Sequence, residues 1–153
     1  MFSRIVAATD FSEPADHAWR TARELAHVHR AELVLLHVFV ELPLYAETPA
    51  TVVLQVYEEQ RRWVQDELHA RAKDAAADGV TVRTRLETGS APETIARVAG
   101  EEHADLVVVG THGRSGLDRI ILGSVAERVV RVVPCPVLVV RPRADGAARA
   151  KAA

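Results

Sequence analysis

The residues with the clearest chemical potential lie between Gly110 and Ser124, where the sequence reads GTHGRSGLDRIILGS. The first glycine ends a short apolar run, and the last Gly-Ser pair precedes a segment with helical spacing. Glycine permits positive φ and lets a ligand approach the main chain without meeting a Cβ. The N–H groups at a helix start attract anions. The spacing, Gly-x2-Gly-x9-Gly-Ser, therefore indicates a main-chain cradle for phosphate.

The candidate donors in this cradle are main-chain N–H groups, together with the Ser124 hydroxyl. The N–H groups belong to Gly113, Arg114, Ser124 and Val125. Arg114 could also pair with phosphate charge, or be an ordinary solvated arginine. His112 could contact phosphate or a metal, or be an exposed bystander. The alternative for the whole loop is that its glycines only form a tight turn and allow close helix packing.

A second group of candidates follows the first predicted strand, at Thr9 and Asp10. Asp10 could bind ribose or base amines, or hold Mg²⁺ through water. It could instead be a turn or helix-capping aspartate. Thr9 could bond a ligand or only end the strand.

Apolar runs and helical patterns alternate along the chain, which predicts an α/β fold with right-handed crossovers and a parallel sheet. Ser12 is the predicted N-cap of the first helix, and Ser90 and Glu93 are predicted to form a capping box. Strand three alternates polar and apolar residues, which is typical of an edge strand. Strands are expected near residues 4–9, 31–40, 80–87, 105–109 and 137–140. Helices are expected from about residue 13, at 51–78, from 90, and at 124–133.

Two helices carry apolar residues at three- and four-residue intervals, which predicts one face packed on a sheet. In the first helix these are Ala15, Ala18, Trp19, Ala22, Leu25 and Ala26. In the second they are Val53, Val56, Tyr57, Val64, Leu68, Ala72 and Ala75.

Length and composition limit the possible classes of protein. The 153 residues suit one domain, expected over 1–142, with an Ala- and Arg-rich tail at 143–153 that is expected to be disordered. The single cysteine and the lack of a readable signal peptide or spanning helix predict a cytoplasmic protein with no membrane partner. A net charge of −2 offers no general field for nucleic acid. The irregular connection at 41–50 is a candidate lid or rim.

These motifs together resemble the nucleotide-binding branch of the universal stress protein family, and the resemblance covers nearly the whole chain. Besides the glycine spacing, the matching segments are Ala8 to Asp10, Leu35 to Val38 and Pro136 to Val140. Some relatives carry proline at the position of Ala8. The resemblance implies a doubly wound, five-stranded parallel sheet in the order 3-2-1-4-5, which is Rossmann-like and similar to the adenine nucleotide alpha hydrolases. It also implies ATP as the ligand and a homodimer. Mg²⁺ is expected to accompany the ATP.

If strands one and four are neighbours, their carboxyl ends form a crevice where doubly wound proteins hold ligands. Thr9, Asp10 and the segment from Gly110 to Gly113 would line it. Val38 matches the family position whose main chain reads the adenine edge. The expected binding residues are therefore Ala8, Thr9, Asp10, Val38, Gly110, His112, Gly113, Arg114, Gly123, Ser124 and Val125.

The last strand is expected to be an open, apolar sheet edge, which predicts pairing with a second copy. The strand residues concerned are Val137, Leu138, Val139 and Val140.

The leading functional hypothesis is an ATP-binding regulatory module, with slow ATP hydrolysis at most. A nucleotidyl-transfer enzyme is disfavoured because the loop carries neither His-x-Gly-His nor Ser-Gly-Gly. A dinucleotide oxidoreductase is disfavoured because no Gly-x-Gly-x-x-Gly follows strand one. A structural dimer module without nucleotide is the third alternative, against which the Gly123-Ser124 pair argues.

Overall fold

The computed structural model describes residues 1–40, 49–111 and 122–142. Strands and helices alternate throughout these ranges. The elements are β1 (Arg4–Ala8), α1 (Glu13–His29), β2 (Glu32–Phe39), α2 (Ala50–Ala77), β3 (Val82–Thr88), α3 (Ala91–Glu101), β4 (Leu106–Gly110), α4 (Ser124–Val132) and β5 (Val137–Val140).

The five strands form one parallel sheet in the order β3-β2-β1-β4-β5. The predicted fold and strand order are confirmed, and β3 is an edge strand as its alternation indicated. Because β1 pairs with β2 on one side and with β4 on the other, the direction of winding reverses between β1 and β4.

The core consists of two apolar clusters, one on each face of the sheet, because successive strand residues point to opposite faces. On one face, alternate strand residues such as Ile5 and Leu33 pack with α1 and α2. On the other, their neighbours Val6 and Val34 pack with α3 and α4.

Helix α1 begins as the sequence predicts. The Ser12 hydroxyl accepts a hydrogen bond from the Ala15 N–H at 3.4 Å, which satisfies one donor of the first turn. The helix ends at His29, and its C-cap residue, Arg30, has a φ of 56° in the left-handed region. The predicted inward stripe is buried except for Leu25, which is half-buried.

Helix α2 is longer than the sheet that it covers. Its 28 residues span about 42 Å at the helical rise, whereas the 8 residues of β2 span about 26 Å. Only Val64, Leu68 and Ala75 are buried. The prediction that Val56 faces inward is wrong: it is 43% exposed, on the first turns of the helix.

The predicted capping box at the start of α3 does not form. Ser90 is the N-cap residue, but its side chain makes no bond to the helix backbone. Its hydroxyl donates instead to the Glu93 carboxylate. Glu93 also pairs with Arg128 of α4 at 2.5 Å, a partner that the local sequence does not show.

A network of arginines and glutamates covers the β3 edge. Glu102, which is 8% exposed, accepts hydrogen bonds from Arg83 and Arg85 of β3. The hydrogen bond from Arg83 is the main reason that the pKa of Glu102 lies below its usual value near 4.5. The other members of the network are Arg4, Glu32, Glu87, Arg97 and Glu101.

Two predicted segments fall largely outside the described residues: positions 41–48 of the connection after β2, and the tail at 143–153. Among the helices that are described, none combines the length and the apolarity needed to cross a bilayer.

Candidate functional site

A cleft of about 390 Å³ opens at the carboxyl ends of the strands, where β1 lies beside β4. This volume lies within the range of small-molecule sites, and the point of reversed winding is where doubly wound sheets bind ligands. Strands β1, β2 and β4 and the first turns of α3 and α4 supply its walls.

The structure brings together eight of the eleven residues expected from the sequence. These eight line the cleft: Ala8, Thr9, Asp10, Val38, Gly110, Gly123, Ser124 and Val125. The remaining three, His112, Gly113 and Arg114, lie outside the described residues.

The β1–α1 turn presents Thr9 and Asp10 to the cleft. The Thr9 N–H donates to the Leu36 carbonyl at 2.9 Å, which fixes the turn to β2. One carboxylate oxygen of Asp10, Oδ1, accepts from the Ser12 N–H at 3.0 Å and from the Ser12 hydroxyl at 2.5 Å. Asp10 therefore stabilises the turn, which was the alternative to a role in ligand binding. It also faces the cleft.

The N-terminus of α4 opens on the same cleft. Gly123 is the N-cap residue, and no side chain caps this helix. Its own N–H donates to the Thr111 carbonyl at 2.8 Å, which fixes the helix start to the end of β4. Because the first N–H groups of a helix have no intrahelical partner, those of Ser124 and Val125 are suited to an anion. Both residues are exposed.

Gly110 lines the cleft and also has a packing role that the sequence did not indicate. The described glycines with positive φ are Gly79 and Gly89, so the expectation of positive φ at Gly110 is wrong. A Cβ there would lie 2.7 Å from the carbonyl carbon of Pro14 and 2.9 Å from the Ala15 nitrogen. The missing side chain therefore lets the first turn of α1 pack against the end of β4.

Sequence reasoning missed part of the apolar wall. Ala91 and Ile95 of α3 face Leu36 and Val38 across the cleft, and Thr111 lies next to the α4 start. Ala91 and Ile95 are four residues apart at the beginning of α3, the helix that follows β3. That spacing, on a helix covering this face of the sheet, was the available signal. One side of the cleft is thus apolar, and the other presents main-chain N–H groups.

Within the described residues, no group of three or more His, Cys, Asp or Glu side chains is arranged to hold a metal. A second cavity, of about 340 Å³, lies between α1 and the residues that precede β3, away from the carboxyl ends of the strands. Its basic residues, Arg20, Arg23 and His27, are accompanied by Glu24 and Asp78, and Arg23 pairs directly with Asp78. This mixed charge does not favour a ligand of either sign.

Comparison with known proteins agrees with the fold. The profile of the universal stress protein family matches residues 1–141. The chain is 38% identical over 146 residues to universal stress protein MJ0531 of Methanocaldococcus jannaschii, across 92% of this chain and 83% of that protein.

Two solved structures illustrate the similarity in three dimensions. Universal stress protein UspA from Lactobacillus plantarum superposes with a TM-score of 0.82 at 26% identity, covering 91% of this chain and 97% of that one. A universal stress protein in complex with cAMP gives a TM-score of 0.67 at 27% identity, with the same coverage of 91% and 97%. With a matching profile over nearly its full length, the chain belongs to the universal stress protein family.

Proposed function

We propose that this protein is an ATP-binding regulatory module whose nucleotide state alters its conformation or its choice of partner in the stress response. The observation that carries the proposal is the uncapped start of α4, which opens on a cleft whose opposite wall is apolar. An adenine ring suits the apolar wall between Val38 and Ile95. A phosphate chain suits the N–H groups of Ser124 and Val125.

The expected affinity follows from the number of donors. A hydrogen bond to a charged group contributes about 1.5–3 kcal/mol. Three or four such bonds, offset by the cost of ordering the ligand and the loop, are compatible with a Kd near micromolar, which corresponds to about 8 kcal/mol. His112, Gly113 and Arg114 are proposed to complete the phosphate site.

Mg²⁺ is proposed to accompany ATP. Since the described residues offer no cluster of three metal-binding side chains, the ion would be held mainly by phosphate oxygens. Asp10 would reach it through water.

The relative in complex with cAMP supports an adenine nucleotide as the ligand class. It leaves open which adenine nucleotide this chain prefers, so a direct titration is needed. Calorimetry with Mg·ATP, AMP, cAMP and GTP should show binding of ATP with a Kd near micromolar and much weaker binding of GTP. Analysis of nucleotides released from the denatured protein would test the same point without added ligand. An absence of binding to all four nucleotides would contradict the proposal.

Hydrolysis can be measured in the same preparation. We expect phosphate release close to background, because the proposed role is binding. Steady release that is lost in Asp10→Ala would point to an ATPase instead.

We also propose that two copies pair through β5. The two edges of the sheet differ sharply in charge: β3 carries Arg83, Arg85 and Glu87, whereas β5 consists of Val137 to Val140, all partly exposed. Charged residues protect an edge strand from pairing, and an uncharged edge invites it. A two-fold axis would place the two β5 strands antiparallel.

A cytoplasmic location is part of the proposal. The one cysteine, Cys135, cannot form an internal disulfide, so the fold does not need an oxidising compartment. Cell fractionation tests this point.

A further inference from the structure

We propose that His37 is a positioning residue for the nucleotide site: the bond from its ring to the Thr9 carbonyl holds the β1–α1 turn in the shape that presents Thr9 and Asp10 to the cleft. This inference rests on the proposed function. It concerns a side chain that lies behind the turn and does not line the cleft.

The geometry begins with β2. Leu36 and Val38 point to the cleft side of the sheet, so His37 between them points to the opposite face, towards α1 and α2. There it is 8% exposed, and its Nδ1 atom lies 2.8 Å from the Thr9 carbonyl oxygen. A carbonyl oxygen only accepts, so Nδ1 carries the proton and donates. The turn is thus bonded to β2 twice, through Thr9 N–H to Leu36 and through the Thr9 carbonyl to His37.

The same ring also supports an unusual backbone conformation. Phe11, the third residue of the turn, has a φ of 61°, which a bulky side chain rarely adopts without surrounding support. Its ring stacks on that of His37, with centroids 4.9 Å apart and an angle of 17° between the planes. Trp63 of α2 contacts it edge-on at 5.2 Å. These contacts keep Phe11 behind the turn while Thr9 and Asp10 face forward.

Arg71 joins α2 to the same arrangement. Its guanidinium lies 4.7 Å from the centre of the Phe11 ring and pairs with Asp16 of α1 at 3.2 Å and with Glu67 of α2. The turn is therefore held from β2, α1 and α2 together. Of these contacts, the His37 bond is the one that ends on the main chain of a cleft residue.

Hydrogen bonds within the turn depend on that main-chain shape. The Phe11 N–H donates to the Thr9 hydroxyl and the Ser12 N–H donates to Asp10 Oδ1, both at 3.0 Å. If the Thr9 carbonyl loses its donor, it is free to rotate, and both bonds should weaken. The Asp10 carboxylate would then be less well placed for the ribose or the Mg²⁺ ion.

Two substitutions of His37 separate the effect of losing the hydrogen-bond donor from the effect of losing the aromatic ring. In His37→Phe the ring remains but the donor is lost. In His37→Asn the ring is lost, while the amide nitrogen is attached to Cγ as Nδ1 is and can donate to Thr9. Calorimetry with Mg·ATP, at a temperature where every variant is folded, should show about tenfold weaker binding for His37→Phe, the effect of one lost bond of about 1.4 kcal/mol. His37→Asn should bind within about threefold of the parent protein.

A matched control removes stability without touching the turn. Val107→Ala shortens a fully buried side chain at the start of β4, away from the cleft. It should lower the Tm while leaving the Kd unchanged. Equal losses of affinity in His37→Phe and His37→Asn, or no loss in His37→Phe, would overturn the proposal.

Amide exchange without nucleotide distinguishes this inference from the proposed function. The N–H groups of Phe11 and Ser12 should exchange faster in His37→Phe than in His37→Asn or Val107→Ala. Unchanged exchange would overturn the positioning role, whatever the nucleotide results. If the parent protein binds no nucleotide while exchange changes as expected, the proposed function fails and the role of His37 in shaping the turn stands.

Discussion

Gly110 at the end of β4 lies so close to Pro14 in the first turn of α1 that a Cβ would meet the Pro14 carbonyl carbon at 2.7 Å. The atoms that it would meet are main-chain atoms, which cannot move aside as the end of a flexible side chain can. The contact therefore fixes how closely α1 approaches the sheet beside the cleft.

Gly110→Ala should destabilise the protein by about 1–3 kcal/mol, because the added methyl group forces the α1 backbone outward. Urea unfolding measures this change. Gly100→Ala is the matched control: a Cβ on Gly100, inside α3, meets nothing within 4 Å. It should stabilise by about 0.5–1 kcal/mol, since alanine favours a helix more than glycine does. Equal effects at the two positions would contradict the packing argument.

Gly123→Asp should weaken Mg·ATP binding at least tenfold without destabilising the fold. The φ of −62° at Gly123 suits any residue, and an aspartate at an N-cap bonds to the helix N–H groups. Its carboxylate would thus compete with phosphate for the same donors and repel it. Gly123→Asn separates the two effects, because it caps the helix without the charge and should cost less affinity. Calorimetry measures the affinity of both variants, and thermal unfolding measures their stability. Unchanged affinity in Gly123→Asp would show that phosphate does not bind at the start of α4.

Stability should fall in acid because of the network around Glu102. Its folded-state pKa is lowered, so the unfolded chain binds more protons below the usual value near 4.5. The contribution is present in full above that pH and is lost as pH falls through the folded-state pKa. Glu102→Gln should show a shallower fall in Tm below pH 4.5. It should also lose about 1–3 kcal/mol at pH 7, because a neutral amide replaces the charged acceptor of the hydrogen bonds from Arg83 and Arg85.

The control for this pH experiment is Glu127→Gln on α4. Glu127 pairs with Arg131 at the surface, where its side chain is 52% exposed, so its removal should change stability by no more than about 1 kcal/mol. If both variants had the same acid profile, the network would not be the source of the pH dependence.

Val139→Lys should convert the proposed dimer to a monomer in sedimentation velocity. A lysine in β5 brings like charges together when two copies of the strand pair. Leu138→Lys tests the other face of the same strand, and circular dichroism checks that each variant is folded. Val28→Lys, at a position 75% exposed on α1, should leave the oligomeric state unchanged. If the parent protein is monomeric at tens of micromolar, the proposed dimer is wrong.

Local patterns predicted the elements well where the pattern and its cause lie in the same segment. Ser12 caps α1 because its hydroxyl reaches a donor three residues away. The run from Leu106 to Val109 is buried on both faces, as a central parallel strand should be. Prediction failed at Glu93, which Arg128 of a distant helix pairs as well as Ser90. It also failed at Val56, which is exposed although the next residue, Tyr57, packs against Phe39 of β2.

The sequence by itself determined the order of the elements, the parallel sheet, and most of the residues at the strand ends, because hydrophobic period and glycine spacing are properties of neighbouring residues. Only the tertiary structure decided what Gly110 is for and that His37 holds Thr9 from behind the cleft. Both depend on the approach of segments far apart in the chain. A Cβ on Gly110 would lie 2.7 Å from the Pro14 carbonyl carbon, and His37 Nδ1 lies 2.8 Å from the Thr9 carbonyl oxygen. Such distances are set by the packing of whole helices on the sheet, which no local pattern encodes.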